Sequence, residues 1–165
     1  MPNHPHDVLA VPGRSGQLIF TPCPGTRETS VAEALDSLHQ AGAEALVTLM
    51  PDEELARNGA SQLPTLCAER GMHWFHLPVA DEQVPQDDFD QAWAQSCARI
   101  GELLQDGRSV AVHCKGGSGR TGLIAARILI DCGVPREEAV AKVRTLRPKA
   151  IQHPAHAGWI AQFGQ

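Results

Sequence analysis

Between residues 109 and 131 the chain reads SVAVHCKGGSGRTGLIAARILID. Ser109 to Val112 is a short apolar run of the kind that forms a buried β-strand, and Thr121 to Asp131 has the pattern of a helix. The joining segment, His113 to Gly122, is HCKGGSGRTG. Gly116, Gly117 and Gly119 let the backbone curl tightly and take positive φ where side chains would clash. A curled loop points its N–H groups inward and makes an anion-binding nest. The helix that follows adds unpaired N–H groups and a positive dipole end. Lys115, Gly116, Gly117, Ser118 and Gly119 therefore form a cup for a tetrahedral oxyanion. Arg120, at the helix start, can hold two oxygens of that anion through its planar fork. Cys114, at the strand's end, would meet the central atom from below. The inward donors, Arg120 and the Thr121 hydroxyl all favour a thiolate, which makes Cys114 a candidate nucleophile.

Competing readings of this loop explain less. Gly117, Gly119 and Gly122 spell G-x-G-x-x-G after a strand and before a helix. A dinucleotide-binding unit also needs a second strand and an acidic residue about twenty positions on, and here a helical segment follows. The nucleoside-triphosphate loop G-x-x-x-x-G-K-[ST] has no match. A plain glycine turn with a buried structural cysteine leaves the Cys114–Arg120 spacing unaccounted for.

HCKGGSGRTG resembles the HCxxGxxR[ST] signature of the cysteine-dependent protein tyrosine and dual-specificity phosphatases. That resemblance implies a phosphomonoester hydrolase that works through a cysteinyl-phosphate, with Cys114 as nucleophile, Arg120 as phosphate ligand and Thr121 assisting the sulfur. It implies no cofactor and no metal. His113 is expected to orient the loop.

Expelling an alkoxide or phenolate requires a general acid. The acidic segment PVADEQVPQDD, Pro78 to Asp88, follows a strand, and Asp81 lies just past that strand's end. Alone, the segment would read as a solvated acidic loop; beside Cys114 it supplies the acid. Glu82, Asp87 and Asp88 are the competitors. The segment also resembles the acid loop of the kinase-associated (cyclin-dependent kinase inhibitor) phosphatases, where a strand leads into P-[IV]-A-D. Pro22-Cys23-Pro24-Gly25 is similar to the early CPG segment of that group, and Leu146-Arg147 with Ala150-Ile151-Gln152 to its late LR…AIQ segment. The last similarity makes Gln152 a candidate for positioning the hydrolytic water. Lys115 and Gly117 depart from the kinase-associated pattern, and the HCK opening is more similar to lipid and cell-division phosphatases. The kinase-type substrate therefore does not carry over.

The rest of the chain alternates strands and helices. Strands are expected at Gln17 to Phe20, Ala45 to Met50, Met72 to Val79 and Ser109 to Cys114. Helices are expected at Thr29 to Gln40, Pro51 to Arg57, Ser61 to Arg70, Phe89 to Gln105, Pro135 to Leu146 and Pro154 to Phe163. Asp52, Glu53 and Glu54 suit the first turn of the second helix. This order predicts an α/β fold with a mostly parallel central sheet of about four to five strands flanked by helices, like the dual-specificity phosphatases. The site then falls at the carboxyl end of a sheet strand. At 165 residues the chain is expected to be one domain, 1–165, with residues 1–16, rich in Pro and Gly, loosely ordered.

A net charge of −5 argues against a nucleic-acid partner with a broad basic face. No apolar run approaches the length of a membrane span, and the N-terminus lacks a signal-peptide core. Cys23, Cys67, Cys97, Cys114 and Cys132 have neither disulfide-framework nor zinc spacing, so a reducing cytoplasm is expected. The histidines show no metal-ligand spacing, and His73 and His76 should face opposite sides of a strand.

The expected partner is a phosphorylated protein or another phosphomonoester. The chain lacks tyrosine, including the one that deepens the cleft of the tyrosine-specific enzymes, so the resemblance favours the shallower dual-specificity type acting on phosphotyrosine and phosphoserine or phosphothreonine. A phosphoinositide phosphatase is the alternative, disfavoured by a single lysine in the loop. A rhodanese-type sulfurtransferase leaves Asp81 without a role, and a non-catalytic phosphate-binding module has no need of Cys, Arg and acid together.

Overall fold

The computed structural model describes residues 4–164. Its strands are β1 (Asp7–Ala10), β2 (Gln17–Thr21), β3 (Ala43–Thr48), β4 (His73–His76) and β5 (Ser109–His113). They form one sheet in the order β1-β2-β5-β3-β4. β2, β5, β3 and β4 run parallel, and β1 pairs antiparallel with β2. The helices are α1 (Val31–Gln40), α2 (Asp52–Arg57), α3 (Leu63–Glu69), α4 (Asp87–Gln105), α5 (Gly119–Asp131), α6 (Arg136–Leu146) and α7 (Pro154–Ile160). The expected mostly parallel α/β sheet is what the chain forms.

Apolar runs rather than alternation mark the inner strands because both faces of a parallel sheet are covered. In β5, Val110 and Val112 enter the core beneath α4 and α5, while Ala111 enters the core beneath α1 and α3. Phe20 and Leu18 of β2 join the first core and Ile19 the second. Each such aliphatic or aromatic side chain removed from water contributes about 1.5–3 kcal/mol. His73 stacks with Phe75 and Trp74 lies against His76, so the two histidines of β4 occupy opposite faces as expected.

The N-terminal expectation needs correcting. Residues 1–3 lie outside the described residues, but residues 7–10 form β1, and His4 is buried with Nε2 3.0 Å from the Pro22 carbonyl. β1 buries only Leu9, although Val8, Leu9 and Ala10 are all apolar. Its order comes from pairing with β2 and from Asp7, whose carboxylate sits 2.9 Å from Arg147. A short antiparallel strand of this kind closes a sheet edge.

Two features fix the helices that frame the site. Gly122, in the first turn of α5, has no room for a side chain: a Cβ there would lie 2.7 Å from that of Ala150. Arg127 of α5 lies among three rings, 3.6 Å from the Phe163 centroid, 4.7 Å from Trp93 and 5.5 Å from Trp159. These cation–π contacts, about 0.5–2 kcal/mol each, tie α7 to α4 and α5.

Candidate active site

The loop from Cys114 to Gly119 leaves the central strand β5 and enters α5. Gly117 sits at φ +75°, and a Cβ there would fall 2.6 Å from the Thr21 backbone, so glycine is required twice over. Three loop carbonyls are held from outside. Cys114 O meets His113 Nδ1 at 3.0 Å, Lys115 O accepts the Cys23 N–H at 2.9 Å, and Gly117 O accepts Arg147 Nε–H at 2.8 Å. With its carbonyls engaged outward, the loop presents N–H groups inward. One of them, Gly117 N–H, points at Cys114 Sγ at 3.3 Å, and the Thr121 hydroxyl donates to the same sulfur at 3.2 Å. Cys114 and Thr121 are both buried. Lys115, Gly116, Ser118 and Gly119 line the open side.

Arg120, only 4% exposed, is held by a residue that the sequence reading took for an ordinary helix-start acid. Glu54 of α2 grips it with two 2.7 Å bonds, Oε1 to Nη1 and Oε2 to Nη2. Nη1 also donates to the Val79 carbonyl at 2.9 Å, and Nη2 lies 3.4 Å from Asp81 Oδ1. A guanidinium has five N–H bonds. Glu54 and Val79 take three, which leaves Nε–H and one Nη2 hydrogen for an anion in the cup. Glu54 thus decides which edge of Arg120 faces the loop. The guanidinium in turn holds the Glu54 carboxyl below the usual carboxylate range, against the opposing effect of burial.

His113 closes a buried polar chain. Trp74 Nε1–H donates to Thr48 Oγ1 at 2.8 Å, and Thr48 lies 2.8 Å from His113 Nε2. The Cys114 carbonyl can only accept, so His113 Nδ1 carries the proton and Nε2 accepts from Thr48. Burial pushes the imidazole down to about 4. An unfolded histidine titrates near ~6.5, so the unfolded chain binds this proton more readily. Stability should be full above that pH and fall as the pH drops towards 4, by roughly 3 kcal/mol at ~1.36 kcal/mol per pH unit. His4, lowered by burial too, adds to the same slope. Urea midpoints for wild type and His113→Gln across pH 7 to 4 check this: the variant should show the shallower dependence.

Above the loop lies a cleft of about 600 Å³, lined by Asp81, Glu82, Gln83, Cys114, Arg120, His153 and His156 besides the loop. The acid-loop residue Asp81 is brought to it, with its side chain 70% exposed at the rim. Glu82 also lines it; Asp87 and Asp88 start α4 and do not. Gln152 lies outside the lining of this cleft. Ile151, buried at φ +61°, turns the chain, and the Gln152 amide donates to the Pro148 carbonyl at 2.9 Å instead of lining the cleft. Its neighbours His153 and His156 occupy that wall. His153 Nδ1 caps α7 by accepting the Ala155 N–H at 3.1 Å, which leaves its proton on Nε2. Sequence reading missed Glu54, Arg147, His153 and His156; the similarity of Leu146-Arg147 to a known segment was the one available signal.

A family model described as "Polymorphic toxin system, DSP-PTPase phosphatase" matches residues 23–134, well over half of the chain. The chain belongs to the DSP-PTPase phosphatase family. Among its curated relatives, protein tyrosine phosphatase type IVA 2 of Mus musculus is 30% identical over 108 residues, covering 60% of this chain and 64% of that protein. Cyclin-dependent kinase inhibitor 3 of Homo sapiens is 27% identical over 141 residues, covering 81% of this chain and 63% of that protein. The aligned stretch thus spans less than two thirds of either relative. A crystal structure of kinase associated phosphatase, with serine substituted for its catalytic-site cysteine, superposes with a TM-score of 0.85 at 22% identity, over 98% of this chain and 94% of that one. A putative protein tyrosine phosphatase from Leishmania major gives 0.68 at 20% identity, over 99% and 100%. At these identities the likeness is one of fold. The DSP-PTPase chain has no helix, among the described residues, long and apolar enough to cross a membrane.

Proposed function

We propose that the protein hydrolyses phosphomonoesters through a cysteinyl-phosphate, acting on phosphotyrosine and on phosphoserine or phosphothreonine in proteins. The observation that carries this reading is a buried thiol receiving two hydrogen bonds at the floor of a cup, with the free edge of Arg120 and the carboxylate of Asp81 above it. The Cys114 thiolate attacks phosphorus in line. Inward N–H groups and Arg120 stabilise charge on the three equatorial oxygens. Asp81 gives its proton to the departing oxygen as the P–O bond breaks. Water then attacks the cysteinyl-phosphate, gives its proton to Asp81 and releases phosphate, while the Thr121 hydroxyl supports the returning thiolate. His113 orients the loop. No metal or cofactor enters these steps. All five cysteines are free thiols, which fits work in a reducing cytoplasm.

Steady hydrolysis of p-nitrophenyl phosphate, and of phosphotyrosine and phosphothreonine peptides, is the expected result. Preference for phosphoinositides over all peptides would replace the substrate class, and sulfur transfer from thiosulfate to cyanide without phosphatase activity would overturn the reaction. Glu54→Gln should lose about 3 kcal/mol of stability, as expected when one partner of a buried pair goes. It should also lower kcat/KM, because the edge of Arg120 is no longer fixed. Urea denaturation and steady-state kinetics on the same preparation check both.

A further inference from the structure

His156 belongs to neither the loop nor the acid segment, yet it joins the two sides of the cleft. It is 7% exposed, and its Nε2 lies 3.0 Å from the carbonyl oxygen of Gln83, 73 positions earlier in the chain. The carbonyl can only accept, so the imidazole donates through Nε2–H. Gln83 is the last residue of a tight turn. Its N–H returns to the Ala80 carbonyl at 3.0 Å, and Asp81 and Glu82 form the corner. Glu82 stands there at φ +63°, the left-handed region that turns reserve for glycine or asparagine. Its own carboxylate is exposed and makes no ion pair among the described residues. A strained backbone of this kind persists only where its surroundings over-determine it.

The surroundings that do so are few. On the incoming side Val79 is fixed by its N–H to the Leu49 carbonyl at 2.7 Å and by its own carbonyl to Arg120. On the outgoing side the polar tie is the Gln83 carbonyl, and His156 holds it. The histidine itself stands on a rigid base. Trp159, three residues on and therefore on the same helix face, packs edge-on against Phe89 at 5.9 Å and shares the Arg127 cage.

We infer that His156 is a positioning residue for the general acid: through the Gln83 carbonyl it holds the strained turn that aims Asp81 at the leaving-group side of the cup. The inference rests on the phosphatase reading above for its catalytic consequence and on geometry alone for the tie itself. In the first step a misaimed acid matters only when the leaving group needs a proton, so the effect of losing His156 on kcat/KM, which ends at formation of the cysteinyl-phosphate, should depend on the leaving group. Merely loosening the fold would slow all substrates together.

The test compares His156→Leu, which keeps bulk without a donor, with His156→Gln, which restores an N–H donor. For His156→Leu, kcat/KM on phenyl phosphate should fall about 10- to 100-fold, the scale of a misplaced catalytic group, while kcat/KM on an activated aryl phosphate changes far less. His156→Gln should recover most of the loss. Amide hydrogen exchange reads the tie without activity: residues 81–84 should exchange faster in His156→Leu than in wild type. Equal losses of kcat/KM on both substrates, or no loss in either, would overturn the positioning role. Unchanged exchange at residues 81–84 would overturn the tie. If wild type shows no phosphatase activity, the reaction assignment fails and the exchange experiment alone decides the tie.

Discussion

Cys114→Ser should abolish turnover, by about 10⁴-fold or more, as removal of an enzymatic nucleophile does. Phosphate-ester binding should survive, because the N–H cup and Arg120 do not depend on the sulfur. A hydroxyl in place of the thiol keeps the size and the hydrogen bonds from Gly117 and Thr121, so folding should change little. Chemical modification gives an independent check. Burial pushes the Cys23 and Cys67 thiols up to about 12 and raises Cys132 as well, so these stay protonated at neutral pH. Iodoacetate at pH 7 should therefore label Cys114 first, phosphate should protect it, and loss of activity should track that single modification. First labelling of Cys97, the half-buried alternative, with activity intact would assign the nucleophile wrongly.

The parts of this site that the sequence makes legible are those whose partners lie close along the chain. The cup, its nucleophile and its arginine share one stretch, and a strand followed by glycines and a helix start defines their shape without further information. Thr121 reaches Cys114 across a single turn of the same segment. Asp81 can be placed because the chemistry requires an acid after a neighbouring strand. Glu54 could not be found this way. Asp52, Glu53 and Glu54 are equivalent as first-turn acids, and only the tertiary placement of α2 sets the third against Arg120, 66 positions away. Arg147 and His156 act over 30 and 73 positions; a segment similarity marks Arg147 without giving its contact, and nothing local marks His156. β1 escaped for another reason: its short apolar run, Val8 to Val11, lies between Pro5 and Pro12-Gly13, and its order comes from pairing with β2, which no local pattern records. Gln152 shows the limit of a segment similarity: it marks the residue, but the side chain's direction is set by the turn at Ile151, which sends the amide to Pro148.

Asp81→Asn should separate substrates by their leaving groups. The Asp81 carboxylate stands at the mouth of the cleft, exposed and 3.4 Å from Nη2 of Arg120. A phosphoryl group entering the cup takes the free edge of that guanidinium, and the carboxyl is then left to face the ester oxygen. Asparagine keeps the size and most of the hydrogen bonding but has no proton to give. Loss of general acid catalysis costs about 10²–10⁴-fold where the leaving oxygen is strongly basic. In kcat/KM, which ends at formation of the cysteinyl-phosphate, phenyl phosphate should fall by that much, whereas an aryl phosphate with a stabilised phenolate should change only a few-fold. The free acids nearby make the necessary controls. Glu82→Gln alters the other exposed carboxylate of the cleft wall, and Asp87→Asn and Asp88→Asn alter the start of α4, away from it. None of the three should show leaving-group dependence. Equal losses of kcat/KM on both substrates for Asp81→Asn, or leaving-group dependence in Glu82→Gln instead, would move the acid to another residue. An unchanged thermal midpoint in Asp81→Asn separates loss of the proton from damage to the turn that carries it.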